Sequence, residues 1–117
     1  MNFIDSIRNA AEECVCPLGW TKLGGISTTV FTDNKSGYSV VVLPKNQAAY
    51  AFDNSATISD IQAPNIGKSL AKFDLSNTST LDLVVEIYMI LGETRGLARL
   101  SPKSEPNSVK EVIESNN

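Results

Sequence analysis

Residues 81–91 (LDLVVEIYMIL) constrain the fold more than any other stretch, because they are too apolar to be left in water and fit two geometries. Their odd positions are all hydrophobic, matching the two-residue period of a strand. Against that, Asp82, Glu86 and Glu93 fall within roughly 40° of one another on a helical wheel, leaving one thin solvent stripe and a wide buried face. Ser79 followed three residues later by Asp82 resembles a capping box, and Arg95 with Gly96 suits a helix C-terminus. Start, stripe and stop agree, so a helix is predicted over residues 79–95. Gly92 inside it costs about 1 kcal/mol relative to alanine and leaves open an end one turn earlier. A helix apolar on so many sides is not easily covered by one small sheet. It is expected to lie centrally between the sheet and the first helix, or to bury its excess against a second copy, which points to a homodimer.

The rest of the chain supplies the sheet and the first helix. Ile4, Ile7, Ala11, Cys14 and Leu18 recur at three-to-four spacing with Asp5, Arg8, Asn9 and Glu12 opposite, the pattern of an amphipathic helix, and Pro17 ends it. Leu18-Gly19-Trp20 reads as a corner. Strands are predicted over residues 25–32, 38–43 and 48–52, separated by the turn residues 33–37 and 44–46, which makes a three-stranded antiparallel meander. In the last of these Ala48, Tyr50 and Phe52 point one way and Ala49 and Ala51 the other, leaving room for a helix across the small side. Asn65 after Pro64 is placed to cap a short helix carrying Ile66, Leu70 and Phe73. Residues 55–63 carry no clear signal. Residues 97–101 fit a short strand, and Val109, Val112 and Ile113 a marginal C-terminal helix. The expected fold is therefore α+β: an N-terminal helix, the meander, two further helices packed on the sheet and the marginal helix. Residues 1–101 form a single domain in this reading, and 102–117 a linker-like tail.

Composition bounds the function classes. The chain has 117 residues and no histidine, which removes Ser-His and Cys-His nucleophile pairs and histidine-bearing zinc sites together. A net charge of −3, with ten Lys and Arg that are scattered rather than clustered, argues against nucleic acid or an anionic membrane as partner. No apolar run reaches the ~18 residues of a membrane span, and the first residues turn polar at once, so no secretory signal is read and a cytoplasmic protein is expected. Cys14 and Cys16 are too close to staple a fold and offer half a metal site at best; they read as small apolar core residues in a reducing compartment.

Four groups of residues are candidate sites. Gly67-Lys68-Ser69 carries the end of a phosphate-loop pattern, but Gln62 stands where its first glycine belongs and Pro64 interrupts the approach, so a capped helix start is the simpler reading. Arg95 and Arg99 lie near a helix end of the wrong polarity for an anion. They are the best anchors for an acidic partner surface, although neutralising the helix dipole and pairing with Glu93 is the more ordinary role. Trp20, the single tryptophan, is either core or an interface anchor. Asp82 and Glu86 share a helical face and read as a solvated stripe rather than a cation site.

The expectation is thus a non-enzymatic, cytosolic protein-binding module: an adaptor, inhibitor, immunity-type protein or small acidic chaperone. It would use Trp20, Arg95 and Arg99 toward a protein partner or a second copy, without cofactor or metal. A small-ligand-binding domain, with the ligand between the sheet and residues 65–73, is the alternative. An enzyme working through Asp, Glu or Lys is the third.

Overall fold

A computed structural model describes residues 2–24, 28–62 and 65–100. Their order is α1 (Phe3–Glu13), β1 (Trp20–Gly24), β2 (Thr29–Asp33), β3 (Ser39–Leu43), β4 (Ala48–Phe52), α2 (Ile58–Gln62), β5 (Ala71–Asp74) and α3 (Leu83–Leu100). The class is α+β with an N-terminal helix, an antiparallel sheet and a long last helix. The sheet has five strands in sequence order, not three.

The two added strands are edges. β1 occupies part of the predicted corner and pairs with β2, Lys22 opposite Phe31 and Leu23 opposite Val30. β5 replaces the C-terminal half of the helix predicted over residues 65–73 and pairs with β4, Ala49 opposite Phe73. Only one 3-10 turn, Ile66–Lys68, remains of that helix, and Asn65 makes no side-chain cap to it. The reason is the partner: β4 offers an open edge, and ladder hydrogen bonds there replace those of an isolated, marginal helix. One of the two further helices is therefore lost to the sheet. Another short one, α2, appears in the unassigned stretch. Thr57 and Asp60 build its start reciprocally: the Asp60 carboxylate accepts from the Thr57 backbone N–H and hydroxyl, both at 2.9 Å, while the Asp60 N–H donates to the Thr57 hydroxyl at 3.2 Å. The two bonds that the carboxylate accepts, that from the Thr57 backbone N–H first, hold the Asp60 carboxyl below the usual carboxylate range.

Alternation along the strands gives the sheet two faces. Phe31, Val40, Val42 and Ala49 face α1 and α3 and form one core with Ile7, Ala10, Ala11, Leu83, Ile87 and Ile90. Val41, Ala48, Tyr50 and Phe52 face the other way, under Ala56 and Ile61 of the α2 segment. The small side of β4 thus does receive helices.

α1 begins at Asn2, whose side chain accepts from the Asp5 N–H at 2.8 Å, and stops at Glu13, before Pro17 is reached. Its last turn holds no basic residue. Lys22 of β1 serves instead, donating its ammonium to the carbonyls of Glu12 at 2.7 Å and Cys14 at 2.9 Å while lying 5.9 Å from the Phe31 ring. The last helix is helical as expected, but it runs past both glycines to Leu100, so the strand predicted over 97–101 is absent at its described positions. Thr94 and Ala98 are buried, and the Thr94 hydroxyl donates to the Ile90 carbonyl at 2.9 Å, so packing carries the helix onward. Nor does α3 lie centrally: it sits beside α1 on one sheet face, and among the described residues nothing covers its far side. The expected C-terminal helix and tail, residues 102–117, lie outside the described residues.

Candidate functional site

Among the described residues, the outer side of α3 carries several exposed apolar side chains. Val85 (57% exposed), Tyr88 (38%) and Met89 (57%) project from it. The segment after α1 extends the patch with Val15 (72%) and Leu18 (95%). Two side chains of α3 fasten that segment: the Tyr88 hydroxyl donates to the Val15 carbonyl at 2.9 Å, and Arg95 Nη2 donates to the Leu18 carbonyl at 2.8 Å. Single exposed apolar residues need no explanation, but several on two segments tied together make a candidate interaction surface.

Arg95 and Trp20, both singled out in the sequence, meet here. The guanidinium carbon lies 5.0 Å from the centre of the Trp20 ring, and Nη2 also approaches Asp33 Oδ1 at 3.5 Å. Trp20 is buried, at 6% exposure, so its ring belongs to the core and Arg95 covers its margin. Gly19 makes room for this arrangement. A Cβ there would lie 2.8 Å from Arg95 Nη2, and its φ of +87° is one that favours glycine. Arg99 does not join the pair; it is exposed in the last turn of α3. The acidic residues occupy the opposite flank, with Glu93 exposed, Glu86 half-buried, and Asp82 accepting from the Ser79 hydroxyl at 2.8 Å.

Cys14 sits beneath the patch. Burial pushes its thiol up, opposed by the Tyr88 hydroxyl and the Lys22 ammonium. Burial also pushes the Tyr88 hydroxyl up, with the neighbouring Cys14 acting in the same direction. Cys16 is half-buried and donates to the Trp20 carbonyl at 3.2 Å. Both thiols are free, and no group of three or more Cys, Asp or Glu suited to a metal ion occurs among the described residues.

No protein-family model, curated protein or solved structure matches this chain. The remaining candidates rest on geometry alone. Lys68 of the Gly67-Lys68-Ser69 run approaches Asp60 Oδ1 at 3.7 Å, and the Ser69 hydroxyl donates to the Ile66 carbonyl, so the run closes a turn rather than a phosphate cradle. On the other face of the sheet a groove of about 400 Å³ opens between Leu23, Val30 and Thr32 of the first two strands and Ile58 and Ile61 of α2. It does not involve residues 65–73, where a ligand was expected. Among the described residues, no helix is long and apolar enough to cross a membrane.

Proposed function

We propose that this chain is a non-enzymatic protein-binding module whose docking surface is the outer side of α3 joined to Val15 and Leu18. One observation carries the reading: five large apolar side chains stand exposed on two segments that hydrogen bonds from Tyr88 and Arg95 tie together. Arg95 serves inside the fold, holding the Leu18 carbonyl and covering Trp20, while Arg99 stands at the rim. A rim charge steers a partner more than it adds affinity. The test is a photo-crosslinking side chain placed at Met89, with one at Glu12 on the outer face of α1 as control. Adducts of defined protein mass are expected from position 89 and not from 12; no protein adduct from position 89 in cells making the chain overturns the reading.

A second reading, a site for a small apolar ligand, is favoured by the groove between β1, β2 and α2, whose volume lies in the range of small-molecule sites. A true ligand at a hundredfold excess over its dissociation constant adds about 2.7 kcal/mol of stability. A panel of aliphatic acids and alcohols that leaves the melting temperature unmoved removes this reading.

A further inference from the structure

The outer face of the sheet is closed over β3 and β4 but open over β1 and β2. Val41, Ala48, Tyr50 and Phe52 are buried there, whereas Leu23 is 65% exposed and Val30 and Thr32 are half-buried. α2 has five residues and is about 7.5 Å long, while five strands span roughly 19 Å. The gap beside it is the groove of about 400 Å³. Leu23, Val30, Ile58 and Ile61 line it with aliphatic carbon, Gly24 with bare backbone, and Thr28 and Thr32 add a hydroxyl each; none of these seven ionises. The charged residues of the bordering elements are engaged elsewhere. Lys22 of β1 caps α1, Asp33 of β2 meets Ser36 and Arg95, and Asp60 of α2 is held by Thr57 and Lys68. Residues 25–27 and 62–64, which adjoin the lining in sequence, are Gly-Ile-Ser and Gln-Ala-Pro and bring no charge. One polar feature remains. The Thr32 hydroxyl lies 3.1 Å from that of buried Ser39, and either can donate, so the pair can turn a proton or a lone pair toward a neighbouring oxygen.

We infer that the groove takes a neutral, medium-length aliphatic molecule carrying one hydroxyl or carbonyl oxygen. Its chain lies against Leu23, Val30, Ile58 and Ile61, and its oxygen meets the Thr32–Ser39 pair. The inference rests on the small-ligand reading above and names the class of ligand. An ionised carboxylate placed at that pair would lose its water and gain no cation, which is costly. Turned outward into water, the same carboxylate would forfeit the pair.

The full chain is to be titrated at neutral pH with n-octanol, methyl hexyl ketone and octanoate, followed by amide NMR shifts. Saturable binding of the alcohol and the ketone is expected, with shifts centred on Leu23, Val30, Thr32 and Ile61, and octanoate at least tenfold weaker. Octanoate binding as tightly as octanol overturns the neutral class and leaves a ligand site standing. No saturable shift from any of the three removes the small-ligand reading itself, and the inference with it. Shifts centred on Val85 and Met89 would put the chains on the opposite side of the molecule and overturn the site. Thr32→Val keeps the size and removes the hydroxyl, so it should weaken octanol severalfold; an unaltered affinity overturns the role of the pair. Ile58→Trp, at a position 72% exposed, should fill the groove and abolish binding with no loss of melting temperature, and undiminished binding by that variant also overturns the site.

Discussion

α1 and α3 lie side by side on the same face of one sheet, yet only α1 is finished on its outer side. There Asp5 and Arg8 pair at 3.0 Å, and Glu12 and Glu13 stand in water; its buried side is confined to Ile7, Ala10 and Ala11. α3 buries Leu83, Ile87, Ile90 and Leu91 against the same core but turns Val85 and Met89 outward. One sheet can satisfy one stripe of each helix. The difference between them is therefore not in how they fold but in what each has left over, and leftover apolar surface is what a partner covers.

This contrast can be broken most forcefully from inside. Ile87→Ala empties a fully buried site between the two helices and the sheet and should cost about 2–5 kcal/mol, read as a lower denaturant midpoint with an unchanged slope. Lys22→Met tests the end of α1. It removes the ammonium from the Glu12 and Cys14 carbonyls, with an expected loss of about 2 kcal/mol and faster amide exchange in the last turn of α1. Asn2→Ala removes the cap at the other end of the same helix and should cost about 1 kcal/mol in the same assay. On the outer side of α3 the expectation reverses. Val85→Ser with Met89→Ser should change folding stability by no more than about 0.5 kcal/mol per site while abolishing crosslinks from a probe at neighbouring Val15. A large loss of stability there would mean that the face is sealed within the fold, and the contrast between the helices would collapse.

What could be read in the chain follows from how local its cause is. α1, β3, β4 and the helical nature of α3 each carry their own pattern. β1 hides its alternation because Lys22, a charged residue, points to the core side to cap α1 and cover Phe31, while Leu23 is exposed on the other face. β5 hides because Ile66, Leu70 and Phe73 mimic a helical stripe; only the open edge of β4 decides for a strand. The excess apolar surface of α3 was visible as a wheel too greasy for its setting. Its union with Val15 and Leu18, and the stacking of Arg95 on Trp20, depend on contacts between opposite ends of the described chain.

Those long-range bonds carry a consequence for synthesis. Each strand pairs with the one made just before it, so the sheet is able to zip together as it emerges. Yet Val15 and Leu18 wait 73 and 77 residues for Tyr88 and Arg95. Until α3 leaves the ribosome, the flank holding Phe31, Val40 and Val42 lacks half its roof, and the growing chain must spend that interval shielded from its neighbours.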